Sequence, residues 1–181
     1  LAKGWVKTTI AGIAAAAGVA NETVYSTFGS KTALLRELIS RAVRGARPDI
    51  PLTEQEMSAR IAHETDQARQ VELFCDDIAK VLTRVAPLMD VVRTAGETDA
   101  AIATLHAELH RSRRHNLEWF AEALLRNGPL KDGMSAEAAA GILWRLASPD
   151  LFLLMQRIEK TSLRYYAEWL ATSLKCLLLA R

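Results

Sequence analysis

The sequence predicts an all-α protein, and three observations carry that expectation. Residues that favour helices, chiefly alanine, leucine, glutamate and arginine, dominate the 181-residue chain. Apolar side chains recur at i, i+3, i+4 spacing in segment after segment. No alternating run rich in β-branched residues is long enough to form a convincing strand. The length allows either one ordinary core or a small domain joined to a larger one.

From the N-terminus, Thr8 or Thr9 can cap a helix whose apolar face is Ile10, Ile13, Ala14 and Ala17. Gly18 ends it as a residue able to take positive φ, and Val19 fills the turn. Asn21 can cap a second, very short helix with Val24 and Phe28 on its inner face. Gly29 stops that helix, and Ser30 caps a third whose inner residues are Leu34, Leu35, Leu38, Ile39 and Ala42. A two-turn helix is not stable alone, so its neighbours must hold it while Glu22, Thr23, Tyr25, Ser26 and Thr27 stay polar and outward. Two short helices across a small-residue turn form a helix-turn-helix, whose second helix enters the DNA major groove.

Charge agrees with that reading. Residues 1–47 hold seven lysines and arginines against two glutamates, a balance of +5, whereas the remainder holds sixteen against nineteen, a balance of −3. A basic end on an acidic body points to a polyanion partner for that end.

Beyond Arg47, the stretch PDIPLT at 48–53 reads as a linker, because proline removes a donor and disfavours helical geometry in the residue before it. Residues 48–181 are then a larger helical domain, with helices expected near 54–64, 67–86, 87–95, 99–127, 135–147, 149–158 and 161–180. Pro87 should kink or divide the second and third of these. The turns NGP at 127–129 and KDG at 131–133 precede a cap at Ser135, and Ser148-Pro149 opens the short segment that follows. The apolar runs are too short to span a bilayer and no apolar leader follows the opening LAKGWVKTT, so a soluble intracellular protein is expected. Cys75 and Cys176 are far apart without a CxxC, as buried reduced thiols would be.

No G-x-S-x-G, phosphate loop or dinucleotide fingerprint occurs, so no catalytic residue or cofactor is expected. His106 and His110 share a helix face at i, i+4 but have no evident third ligand, and a zinc site needs three or four. The helices between 67 and 158 instead carry large apolar side chains: Phe74, Leu82, Met89, Val92, Trp119, Phe120, Trp144, Phe152 and Met155. Most belong to a core, and a subset could line an apolar cavity for a small molecule. The shortage of evident inward charges argues against a highly charged occupant.

The run TTIAGIAAAAGVANETVYSTFGSKTALL at 8–35 resembles the DNA-binding signature of TetR-type transcriptional regulators: two threonines, I-A-x-x-A-G-V, T-[VL]-Y-x-x-F, S-K and a leucine pair. More weakly, LWRLASPDLFLLMQR at 143–157 and RYYAEWLATSLKCLLL at 164–179 look like the last two helices of many members. The resemblance implies an N-terminal helix-turn-helix domain joined to a ligand-binding and dimerisation domain. It assigns Thr9, Tyr25, Thr27 and Lys31 to phosphate oxygens, contacts that position a protein without reading sequence. Asn21, Glu22, Thr23 and Ser26 become candidates for base edges. It also implies a homodimer. Tyr166, Leu170, Leu174 and Leu177 on the last helix, with the small-residue face of Ala136, Ala139, Ala140 and Leu143, would close a four-helix interface about a two-fold axis.

Three departures from the family pattern stand out. Thr27 replaces a common histidine, Ala20 replaces a common capping serine so that Asn21 would take over the cap, and only LAKGW stands where the family has a first helix. The functional expectation is a repressor bound as a homodimer to double-stranded operator DNA, acting in the cytoplasm and released by a small, mainly apolar effector. The alternative is an all-helical ligand- or protein-binding module with a vestigial or truncated DNA-binding end. The helix that begins at Ser30 and runs through Arg44 is the evident lever between the two domains.

Overall fold

A computed structural model describes residues 4–51 and 54–180. The chain is helical, and among the described residues the only β pairing is an isolated antiparallel bridge between Leu130 and Leu179. Leu52 and Thr53 of the expected linker, and Leu1 to Lys3 of the expected first-helix remnant, lie outside the described residues.

The head begins with a single turn, α1 (Gly4–Lys7), followed by α2 (Ile10–Ala17), α3 (Asn21–Phe28) and α4 (Lys31–Arg44). Thr9 caps α2 by accepting from the Gly12 N–H at 3.1 Å, and Gly18 closes it in the left-handed region at φ 68°. Only glycine takes that conformation without a steric cost, which is why the chain can reverse so sharply between α2 and α3. Ala20, not Asn21, is the N-cap of α3, and no side chain caps it. With Asn21 inside the first turn, its amide is left free. Ser30 caps α4 through the Ala33 N–H. Ile10, Ala14 and Val24 form the small core of the head, flanked by Phe28 and Leu34.

The body comprises α5 (Glu56–His63), α6 (Gln67–Gly96), α7 (Ala100–Asn127), α8 (Ala136–Leu146), α9 (Pro149–Arg157) and α10 (Leu163–Leu178). Ser135 and Ser148 cap α8 and α9 as their positions imply, and Pro149 stands at the start of α9, where its missing N–H has no partner to lose. The expected division at Pro87 is absent: α6 is one helix of 30 residues with Pro87 inside it. Buried residues run along the same face on both sides of the proline, including Val81, Val85, Ala86, Met89 and Val92, and packing holds the axis together despite one lost backbone bond.

Helices α6, α7, α8 and α10 pack around the main core, with Phe74 and Phe120 stacked at 4.1 Å. Gly96 lets α6 and α7 approach closely, since a Cβ there would lie 3.2 Å from the Ala103 backbone. The stretch Ala136–Arg157 is apolar. It is divided at Ser148-Pro149 into α8 of 11 residues and α9 of 9, each too short for a bilayer core of about 30 Å.

The head rests on the body through α4. Leu35 and Ile39 share a cluster with Val92 and Ala95 of α6 and with Ile102 and Leu105 of α7, and Trp5 packs against it. Beside it, Ala42 and Val43 meet Val81, Val85 and Met89.

Candidate nucleic-acid interface

The second helix of the head turns one narrow face inward and the rest outward. Val24 is buried and Phe28 half-buried, whereas Asn21, Glu22, Thr23, Tyr25, Ser26 and Thr27 are all exposed. Tyr25 keeps 54% of its surface accessible although aromatic rings usually hide. An eight-residue helix held by three small buried groups behind it thus presents a continuous polar strip.

The donors on this strip differ in what they can still do. Thr9 uses only its oxygen lone pair for the cap, so its O–H remains free to donate to a phosphate. Ser26 and Thr27 both donate their hydroxyl protons to the Thr23 carbonyl, at 3.1 and 2.7 Å. A hydroxyl has one proton, so in this arrangement Thr27 faces outward with lone pairs, which repel a phosphate. As arranged here, Thr27 has no proton to offer a phosphate, while Ser26 keeps the capacity to accept from a base amino group.

Lys31 is anchored. Its ammonium donates to the Trp5 carbonyl at 2.5 Å and lies 3.8 Å from the centre of the Trp5 ring. Burial lowers its pKa below the ordinary lysine value, partly offset by the charge of Asp99. An ammonium has three donors, so one or more remain for a phosphate at the start of α4. Trp5 in turn donates its indole N–H to Asp99 at 3.1 Å, and Asp99 caps α7 through the Ala101 and Ile102 N–H groups. Hydrogen bonding to Trp5 and to the Ile102 N–H holds the Asp99 carboxyl below its usual range. Sequence alone did not single out Trp5 or Asp99, because the partners are 94 residues apart.

Residues 1–38 match the family model described as bacterial regulatory proteins, tetR family. By this match the head is similar to the DNA-binding domain of tetR-family regulators. Proteins of this family are DNA-binding transcriptional regulators rather than enzymes. No curated protein and no solved structure matches the chain significantly.

Behind the tetR-type head, the apolar residues expected around a cavity are packed against other side chains and divided among three clusters. Phe74, Leu82, Phe120, Phe152 and Met155 are buried in the main core, with Trp119 and Trp144 half-buried at its edge. Met89 and Val92 instead belong to the two joints beneath α4. Two open cavities lie elsewhere: one of about 420 Å³ is lined by Trp5, Asp90 and Thr94 among others, and one of about 310 Å³ by Glu72, Glu168 and Lys175 among others. Most of these residues are thus core, as their side-chain type implies, and they are shared among separate clusters.

The proposed interface stripe is also corrected. Tyr166, Leu170, Leu174, Ala139, Ala140 and Leu143 have no accessible surface, because they fill the core of their own chain. Ala136 is half-buried, and Leu177 remains exposed at 43%. Apolar groups that do face outward cluster around the turn from α9 to α10: Leu154, Ile158, Leu163 and Tyr165.

His106 and His110 face each other with Nε2 atoms 3.0 Å apart, so at least one ring is neutral and donates to or accepts from the other. No group of three potential metal ligands occurs among the described residues. One inward cation was missed. Arg113 takes an inner-face position of α7, one turn from Leu109 and one turn from Leu117, and donates to the Trp144 and Ala147 carbonyls at 2.7 and 3.1 Å. That i, i+4 placement within an apolar stripe was the available signal.

Proposed function

We propose that the chain is a homodimeric transcriptional repressor of the cytoplasm, bound to a two-fold DNA operator through α3 and released by a small, mainly apolar effector held in the body. The exposed polar strip on a two-turn helix carries this reading. Such a strip is too short to be stable for its own sake and too polar for a core, but it fits a major groove. Thr9, Tyr25 and Lys31 hold phosphates on either side. Asn21, Glu22, Thr23 and Ser26 face base edges, and the unused cap at Ala20 leaves the Asn21 amide free for an adenine.

One helix-turn-helix contacts few base pairs, so affinity requires two heads at a separation of one helical turn or a multiple. With the former stripe buried, the outward apolar groups around the α9–α10 turn are the surface for the second copy. Effector release follows if the effector prefers a conformation in which the two copies of α3 are wrongly spaced.

Selection of bound DNA from a random pool with the full chain tests the reading. A recovered inverted repeat, bound as two protein copies per duplex, is expected. Recovery of no sequence above the starting pool, at low salt and high protein concentration, would remove DNA recognition and leave the alternative of a helical ligand- or protein-binding module.

A further inference from the structure

Four buried polar atoms of the body have no hydrogen-bond partner: His110 Nδ1, Arg113 Nε, Trp144 Nε1 and the Tyr166 hydroxyl. They belong to one neighbourhood where α7, α8 and α10 meet. The Arg113 guanidinium lies 5.2 Å from the Trp144 ring centre, the His110 ring meets the same indole at 5.6 Å, and Arg113 is near enough to Tyr166 for its charge to favour the phenolate. Tyr166 has no accessible surface, and its ring is set edge-on to Phe152 at 4.9 Å.

The chemistry of the set is one-sided. Arg113 Nε–H and Trp144 Nε1–H can only donate, and the Tyr166 hydroxyl has a proton to give. His110 Nδ1 joins them as a donor whenever its Nε2 accepts from His106. Donors thus outnumber acceptors in the set, and a buried donor left unpaired is costly. A single water accepts only two hydrogen bonds and cannot satisfy them all.

Charge points the same way. None of the ion pairs among the described residues includes Arg113. Asp150, the acid whose charge reaches it, is exposed and lies 3.8 Å from Arg93 instead. Burial therefore lowers the Arg113 pKa to about 10, with Asp150 opposing weakly. The guanidinium donates to two backbone carbonyls but has no counter-ion, and its buried Nε–H is left without an acceptor.

We propose that Arg113, Tyr166, Trp144 and His110 form the acid-binding end of an effector site, and that the effector is a small organic acid with an apolar or aromatic body. The proposal rests on the effector-controlled reading above and supplies the ligand class that reading lacks. A carboxylate has two oxygens with about four lone-pair sites, enough to accept from Arg113 Nε–H, Tyr166 and Trp144 together. Phe152 and the stacked pair Phe74 and Phe120 supply apolar surface in the same core.

The helices close over the cluster, so the acid enters a conformation in which α7 and α8 have parted. Helix α7 also carries two polar ties to the head, the Asp99 bond to Trp5 and the ion pair of Glu108 with Arg36. Arg113 is five residues from Glu108, about 7.5 Å along the helix at 1.5 Å per residue. A shift of α7 at the acid is therefore felt at the head.

Benzoate and 1-naphthoate, each beside its neutral amide, test the proposal by calorimetric titration and thermal unfolding of the full chain. The acids are expected to bind and raise Tm, and to do so at least roughly tenfold more tightly than the amides, as a charge-assisted hydrogen bond implies. Arg113→Gln should abolish the preference for acid over amide. Tyr166→Phe should leave the ligand-free Tm unchanged or higher, because it deletes an unpaired hydroxyl, yet weaken acid binding; it keeps the test decisive if Arg113→Gln folds poorly. Equal binding of acid and amide, no binding of either acid, or wild-type acid affinity in Tyr166→Phe would overturn the site. Retention of DNA from the random pool, measured on the same samples, separates the two ideas. DNA retained without acid discrimination sinks the site alone, whereas acid discrimination without DNA retention sinks the regulator and leaves the site standing.

Discussion

At the scale of single residues, the outward side chains of the head differ in which protons they can still offer. Lys31 keeps donors beyond the one given to Trp5, whereas Thr27 has spent its only proton on the Thr23 carbonyl. Lys31→Ala is accordingly expected to weaken binding to every DNA sequence alike and to reduce the slope of log K against log salt by about one. Thr27→Ala should leave that slope unchanged, as fluorescence anisotropy across a salt series would read. A second residue-scale expectation concerns His110. Burial, reinforced by His106 and Arg113 and opposed by Asp150, lowers its pKa below the ordinary 6.5. The fold thus favours the neutral ring, and the unfolded chain binds the extra proton first. This contribution to stability is complete above pH 6.5 and is lost as pH falls through the folded value. Urea midpoints taken between about pH 7.5 and pH 5 should fall with acidification in the wild type and less so in His110→Gln.

At the scale of elements, α10 shows how one apolar stripe can satisfy two different expectations. Spacing at i, i+4 marks Tyr166, Leu170 and Leu174 as a face to be buried, and burial inside the same chain or against a second copy leaves the same pattern in sequence. In the structure α6, α8 and α9 cover that face. Leu174→Ala should therefore cost about 2 to 5 kcal/mol of stability in each subunit, as truncation of a core leucine does. Ile158, 73% exposed at the end of α9, is a different case. Ile158→Glu should convert dimers to monomers by light scattering while changing subunit stability by no more than about 0.5 kcal/mol. A dimer that survives Ile158→Glu would place the interface away from the α9–α10 turn.

At the scale of the whole molecule, head and body are joined by contacts of two kinds, apolar and polar. The apolar joint of Leu35 and Ile39 with Val92, Ala95, Ile102 and Leu105 holds them together, and the polar relay from Lys31 through Trp5 to Asp99 connects the start of α4 with the start of α7. In the proposed regulator, coupling between operator and effector acts through such contacts. It is reciprocal, so operator DNA should lower effector affinity by the same factor that effector lowers operator affinity, typically 5- to 150-fold. Trp5→Phe keeps an aromatic ring in the joint but removes the indole donor to Asp99. It should shrink that factor while leaving effector affinity in DNA-free protein nearly unchanged, as titrations with and without operator would measure. An unaltered factor in Trp5→Phe would assign the coupling to the apolar joint alone.

The head was readable from sequence because its determinants are local. Thr9, Gly18, Gly29 and Ser30 act on backbone groups within a few residues, and Val24 and Phe28 identify the inner face of α3 by spacing alone. The same locality made the body's helix starts at Ser135 and Ser148 readable. Sequence could not say whether packing would carry α6 through Pro87, whether α10 would bury its stripe within one chain, or which of the large apolar residues would share a neighbourhood. Those outcomes depend on contacts between segments tens of residues apart, which hydrophobic periodicity marks as buried without naming a partner. The acid-free pairing of Arg113, Tyr166 and Trp144 is likewise a property of three helices meeting, since an unpaired donor exists only once folding has removed the water that would have bonded it.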